Sequence, residues 1–190
     1  MSGVSAVVLA AGAATRFGSP KQRLLLPDVL ERLRRSPVDE IVVVQGAFAL
    51  EPCASEPPQP PCRIVECDEW ERGSGASLRC GLASLASGVA AAVVVLADGP
   101  ELAPEAVGRT IDVWRREGGI VAASYRGGRG HPLVLGRAEW ESVPDEGLRD
   151  RPVRLVPCDD LGPPGDVDTP QDLEALRTDA GRRRDANDDV

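Results

Sequence analysis

Hydrophobic positions in this chain gather into short, unbroken runs, with amphipathic stretches between them. The runs Val4–Leu9, Ile41–Gln45, Arg63–Glu66, Ala92–Ala97, Ile120–Ser124, Pro132–Leu135 and Val153–Pro157 predict strands. Several are apolar at nearly every position instead of alternating, which suits parallel strands buried on both faces. Helices are predicted at Val29–Arg35, Ala76–Leu85 and Pro104–Glu117. Leu78, Leu82 and Leu85 share one helical face, and Val107, Ile111 and Trp114 form an apolar stripe behind a proline suited to a first turn. Thr169-Pro170-Gln171-Asp172 resembles a capping arrangement ahead of Leu173 and Leu176. This alternation predicts the α/β class, with an open, mostly parallel sheet, helices on both faces, and a single domain. The domain is expected over residues 1–178, followed by a disordered Arg- and Asp-rich tail over 179–190. The Pro-rich stretch Glu51–Cys62 reads as a surface loop. Ligands of such sheets sit beyond the C-terminal ends of the strands, so the loops after Leu9, Ala97 and Leu135 are the candidate sites.

Composition narrows the setting. The 190 residues suffice for one domain with a sizeable core. Three Trp, two Phe and one Tyr leave that core mainly to Val, Leu, Ile and Ala. A net charge of −8 argues against extended nucleic-acid binding. A few local cations can still dominate one pocket. No run reaches the ~18 apolar residues that a membrane span needs. The N-terminal run also lacks the basic residues that precede the apolar part of a signal peptide. Five cysteines, an odd number without C-x-x-C spacing, predict free thiols in a reducing cytoplasm, with neither a zinc site nor a disulfide framework.

Among 22 Lys and Arg residues, Lys21 is the only lysine. It closes the stretch that runs from Leu9 through Gly12, Arg16 and Gly18, directly after the first predicted strand. A strand entering a glycine-containing loop with one Arg and one Lys is a device for gripping polyphosphate. Backbone N–H groups wrap the oxygens and the two cations neutralise them. A compositional bias toward Arg explains why lysine is scarce, but not where the remaining one sits, and the two cations are not chemically interchangeable. The loop is not a Walker loop, because Gly18 is followed by Ser19. It is not a dinucleotide fingerprint either, because Gly12-Ala13-Ala14 lacks the second glycine.

Asp98 ends the predicted strand Ala92–Ala97 and should open onto the crevice. A carboxylate there is costly without a partner. Mg²⁺ on a triphosphate is such a partner, because it takes one or two protein carboxylates beside phosphate oxygens and waters. The alternative, a cap for the helix at Pro104, would put Asp98 too far ahead of that helix. Asp166 and Asp168 are two apart and share a face in an extended segment. Either could join Asp98 at a metal, or Asp168 could begin a turn while Thr169 caps the last helix. Glu71-Arg72-Gly73-Ser74-Gly75-Ala76-Ser77 opens a helix. Its N-terminus suits an anion or a base edge, or is an ordinary helix start.

The order L-A-A-G-x-x-x-R-x-G-x-x-K, here Leu9-Ala10-Ala11-Gly12, Arg16, Gly18 and Lys21, resembles the first motif of the molybdenum-cofactor nucleotidyltransferases, the MobA-like NTP transferases. Within that family it is most similar to the cytidylyltransferase subgroup. Other segments follow in the family's order. Ala97-Asp98-Gly99-Pro100 resembles a strand ending in D-x-P. Trp70, Gly73 and Ser77 resemble W-x-x-G-x-x-x-S, and Arg129-Gly130-His131-Pro132 resembles a G-H-P turn. Asp166-Val167-Asp168-Thr169-Pro170 with Asp172-Leu173 resembles D-x-D-T-P-x-D-L.

The resemblance implies a Rossmann-like fold and a Mg²⁺-dependent enzyme that moves an NMP from an NTP to the phosphate of molybdopterin cofactor, releasing pyrophosphate. It implies Arg16, Lys21 and Asp98 as catalytic residues. Nucleotide binding is implied for Leu9, Ala10, Ala11, Gly12, Ala13, Ala14, Thr15, Gly18, Gly73 and Ser77. Gly130, His131 and Pro132 are implied at the acceptor, and Asp98 and Asp166 as Mg²⁺ ligands. His131, the only histidine, either contacts the acceptor or is a turn residue bonded to backbone. An acceptor phosphate is already ionised at neutral pH, so no general base is required. The L-A-A-G form favours CTP over GTP, with a recipient molybdoenzyme as a further partner.

The chain departs from the family in two regions on the acceptor side. Gln22 to Pro27 leads straight into Asp28-Val29-Leu30-Glu31, where the family has a longer loop. The family's G-D-x-G-x-R segment is reduced to Asp145-Glu146-Gly147-Leu148-Arg149. Gly99 also stands where a polar residue is common. Two alternatives follow: nucleotidyl transfer to another phosphorylated small molecule, such as a sugar phosphate or phospholactate, or a non-catalytic cofactor carrier with the same fold.

Overall fold

The structure, a computed structural model, describes residues 3–13, 21–51, 60–165, 167, 169, 171–175 and 178. Strand β1 (Gly3–Leu9) pairs in parallel on both sides, with β2 (Glu40–Gln45) and β4 (Val89–Leu96). Strand β3 (Cys62–Glu66) continues the parallel pairing beyond β2. On the other side, β6 (Gly128–Gly136) runs antiparallel between β4 and β5 (Ile120–Tyr125), and β7 (Arg154–Pro157) lies parallel to β5. The order is β3-β2-β1-β4-β6-β5-β7, an open and mostly parallel α/β sheet.

The unbroken apolar runs are explained by burial on both faces. Val4, Ala6 and Val8 belong to the core beneath α1 (Lys21–Arg34) and α3 (Pro104–Glu117), with Val29, Leu33, Val107 and Ile111. Val7, Val42 and Val44 belong to the opposite core, with Leu78 and Leu82 of α2 (Ser74–Ser84) and with Trp140. Among the described residues no helix is long and apolar enough to cross a membrane.

Three elements differ from the sequence reading. Helix α1 begins at Lys21, well ahead of Val29, and passes through Pro27. Proline removes one helical hydrogen bond, but Leu25 and Leu26 ahead of it are buried and hold that turn on the sheet. The region that looked shortened is therefore the first half of a helix. Strand β6 begins at Gly128 instead of Pro132, because Arg126 and Gly127 have φ of 53° and 77° and close a tight hairpin from β5. The expectation of free thiols is corrected: Cys67 and Cys80 form a disulfide, with S–S 2.10 Å. Cys62 is also disulfide-bonded, and Cys158 is free and buried. Residues 67 and 80 carry no spacing signal. They meet only because α2 packs against the end of β3.

Candidate active site

After β1 the chain goes on to β2 on one flank of β1, and after β4 it goes on to β5 on the other flank, so the strand order reverses between β1 and β4 and a crevice opens at their C-terminal ends. The two ends are tied there by the Ala97 N–H, which donates to the Leu9 carbonyl at 3.1 Å, while the Ala10 N–H ties β1 to β2 by donating to the Val44 carbonyl at 2.9 Å. Asp98 follows directly. It does not cap α3, whose N-cap is Ala103 with no side-chain cap bond.

Lys21 is the first residue of α1 and is buried, with 8% of its surface exposed. Its Nζ donates to Asp98 Oδ2 at 2.9 Å and to the Val167 carbonyl at 2.6 Å. The Val167 N–H donates to the Asp98 carbonyl at 3.2 Å. Three distant segments thus converge: the start of α1, the end of β4 and the segment around Val167. Arg16, Ala14, Thr15, Gly18 and Asp166 lie outside the described residues.

Asp98 Oδ1 is buried and has no hydrogen-bond partner among the described residues. A divalent cation with phosphate and water ligands would satisfy such an oxygen, because Mg²⁺ needs only one or two carboxylates. Among the described residues no group of three or more His, Cys, Asp or Glu side chains forms a complete metal cluster. The donor set fits a cation shared with a nucleotide and does not fit an all-protein cage.

Gln22 is a site residue that the sequence did not flag. It is buried, and its Nε2 donates to the Gly12 carbonyl at 2.7 Å, tying α1 to the first loop. Its only sequence signal was a polar residue beside Lys21 in what proved to be a buried first turn. On the other side of the loop, the Ala47 N–H donates to the Ala11 carbonyl at 3.0 Å.

Beside the Lys21–Asp98 pair lies a cleft of about 1030 Å³. Leu9, Gly99, Gly130 and His131 line it, whereas Lys21 and Asp98 are not themselves part of its lining. His131 is half-buried, and its pKa is lowered to about 4, first by its partial burial and then by the Arg129 charge, with Asp98 acting in the opposite sense. The imidazole is therefore neutral near pH 7. The His131 carbonyl accepts a hydrogen bond from the Tyr125 hydroxyl at 3.0 Å, and burial raises the pKa of that hydroxyl to about 12. The His131–Pro132 peptide is cis. Arg129 binds the carbonyls of Arg149 and Arg151 at 3.1 and 3.2 Å, so β6 holds the far wall of the cleft. Arg129, Arg149 and Ser74 line the cleft too; each stood inside a segment noted in the sequence but was given no role there.

Helix α2 contributes Ser74 and Leu78 to this lining, not Gly73 and Ser77. The turn after Val143 is seated directly on the start of α2. The Gly75 N–H donates to the Asp145 carbonyl at 2.9 Å. A Cβ on Gly75 would lie 1.7 Å from the Pro144 carbonyl oxygen, and one on Gly73 would lie 2.3 Å from that of Asp145. The Asp145 carboxylate accepts from Arg72 Nη2 at 2.9 Å and is also bound by Arg79. These guanidinium hydrogen bonds, Arg79 first, hold its pKa below the ordinary carboxylate value. Asp145 thereby positions Glu146, Gly147, Leu148 and Arg149 along the cleft. The last predicted cap is present: Asp172 Oδ2 accepts from the Thr169 N–H at 2.7 Å, and the Asp172 N–H donates to Thr169 Oγ1 at 3.2 Å.

Residues 6–156 match the MobA-like NTP transferase domain. No curated protein matches the chain significantly. Solved structures resemble it closely. Rv0371c from Mycobacterium tuberculosis H37Rv is 28% identical, with a TM-score of 0.73, over 93% of this chain and 98% of that one. A complex of Rv0371c with manganese is 28% identical, with a TM-score of 0.68, over 92% of this chain and 97% of that one. A nucleotidyl transferase from Methanothermobacter is 20% identical, with a TM-score of 0.69, over 96% of this chain and 100% of that one, and shares the fold.

Proposed function

The chain belongs to the MobA-like NTP transferase family, and from that premise we propose that it moves a nucleotidyl group from an NTP to the phosphate of a small molecule. The observation that carries this reading is the convergence of the Lys21 ammonium and the Asp98 carboxylate at the mouth of β1 and β4. An acceptor phosphate oxygen attacks the α-phosphorus in line. A new P–O bond forms, the bond from the α-phosphorus to the bridging oxygen breaks, and pyrophosphate leaves with the electron pair. No covalent enzyme intermediate and no general base are needed, so catalysis is positioning plus charge stabilisation.

The loop from Leu9 to Gly18 would hold the phosphates through its N–H groups, and Gln22 ties α1 to the Gly12 carbonyl at its start. Arg16 and Lys21 stabilise charge growing on the α-phosphate and the pyrophosphate. Asp98 and Asp166 would hold Mg²⁺, which when bound would neutralise phosphate charge. The manganese complex of Rv0371c supports a divalent ion in this chain too. The cleft lined by Gly130, His131 and Arg149 takes the acceptor. Its neutral imidazole offers a hydrogen bond without charge.

CTP is the favoured nucleotide, on the strength of Leu9-Ala10-Ala11-Gly12, and molybdopterin cofactor the favoured acceptor. A thermal-shift screen with Mg-CTP, Mg-GTP and Mg-ATP tests the nucleotide directly, because a ligand that binds only the folded state raises the melting temperature. The expected result is a larger rise with Mg-CTP. Equal rises would remove the CTP preference, and no rise with any NTP would favour the carrier reading.

A further inference from the structure

Lys21 does more in this site than wait for phosphate. We infer that its ammonium is a resident stand-in for the divalent cation, holding Asp98 until metal and nucleotide arrive and then moving from carboxylate to phosphate. The inference rests on the nucleotidyl-transfer reading of the same site.

Asp98 is partly withdrawn from water, with a quarter of its side chain exposed, and a partly buried carboxylate gains from a compensating charge. The Nζ of Lys21, 2.9 Å from Asp98 Oδ2, supplies it. The same Nζ is also bound to the Val167 carbonyl at 2.6 Å, so the lysine ties Val167 to the carboxylate. The remaining oxygen, Asp98 Oδ1, is shut away from solvent with no hydrogen-bond partner among the described residues. A divalent cation that takes this carboxylate competes for it with the ammonium already on Oδ2. If both cations stayed on one carboxylate, a monovalent and a divalent charge would sit a few ångströms apart at the edge of a protein interior, where repulsion is only partly screened. The favourable outcome is exchange. The metal takes the carboxylate, and the ammonium takes the negative charge that the nucleotide brings. A lysine is suited to this exchange, because it is a compact charge on a flexible stem, unlike the forked guanidinium of arginine. In a chain where every other basic residue is arginine, that is a physical reason for lysine at this position.

Two outcomes of opposite sign test the proposal. Free Mn²⁺ is titrated into the full-length wild type, Lys21→Gln and Asp98→Asn, with unbound ion read by electron paramagnetic resonance. Lys21→Gln should bind Mn²⁺ alone at least about tenfold more tightly than the wild type, the lower end of what loss of a neighbouring like charge brings at this depth. Asp98→Asn should lose that site. With CTP present the order should reverse, and Lys21→Gln should bind Mn-CTP more weakly than the wild type. Equal or weaker binding of Mn²⁺ alone by Lys21→Gln overturns the inference. So does tighter binding of metal alone with no loss on Mn-CTP, because Lys21 would then only neutralise Asp98.

A second measurement covers the case in which Lys21→Gln does not fold. Lysine labelled at Cε and Nζ gives one ammonium signal in the wild type, because there is one lysine. That signal should shift when Mg-CTP binds, and an unmoved signal at nucleotide saturation refutes the exchange. Failure of every NTP to bind would instead count against nucleotidyl transfer itself, while the Mn²⁺ comparison would still decide the role of Lys21.

Discussion

Gly46 lies beneath the side chain of Trp70, and no side chain fits between them. A Cβ at Gly46 would stand 2.6 Å from Trp70 Cγ and 2.9 Å from the Ala11 Cβ. Gly46 follows β2, and Trp70 lies on the 3₁₀ turn Trp70–Arg72 ahead of α2. Their contact brings this turn against the first loop.

Gly46→Ala should therefore force either Trp70 or the loop at Ala11 to move. Overpacking of this kind costs about 1–3 kcal/mol. Urea unfolding of the variant checks it, and stability equal to the wild type would show that Trp70 rearranges without cost. Nucleotide affinity should fall together with stability, because Ala11 belongs to the loop proposed to hold the phosphates.

The reaction itself bears most directly on Lys21. Lys21→Ala should lower the rate of pyrophosphate release from CTP and molybdopterin by a factor on the order of 10²–10³, as for other single transition-state donors. Lys21→Arg should not restore it, because a guanidinium is larger and forked and this position is 8% exposed. A wild-type rate in Lys21→Ala would remove the residue from the chemistry.

His131 gives stability a pH dependence with a definite sign. Its folded pKa is about 4, against about 6.5 for an unperturbed histidine. Between these values the unfolded chain binds a proton that the folded chain excludes. The contribution is complete above pH ~6.5 and is lost as the pH falls toward 4, by up to roughly 3 kcal/mol. Denaturation of the wild type and of His131→Phe across this range checks it. The slope should flatten in the variant, and parallel curves would mean that another group is responsible.

How far the sequence could be read is clearest at particular residues. Val4 to Leu9 announced a strand buried on both faces, because an apolar run without alternation has few other uses in a chain of this composition. Lys21 and Asp98 could each be assigned to phosphate and metal chemistry from residue type and position alone. Their direct contact could not, because they are far apart in the chain and meet only through the pairing of β1 with β4. Pro27 hid the first half of α1, since a local rule against proline in helices was outweighed by the burial of Leu25 and Leu26.

Local sequence thus determined the α/β alternation and pointed to the first loop and to Asp98 as candidates for chemistry, because periodicity and residue chemistry are properties of neighbours along the chain. Only the tertiary structure decided that Lys21 is held by Asp98 and Val167, that Cys67 meets Cys80, and that the turn at Asp145 is seated on Gly73 and Gly75. Each of those contacts joins segments brought together by strand order and helix packing, and the energy that selects them, burial and charge pairing, exists only once the chain has closed around them.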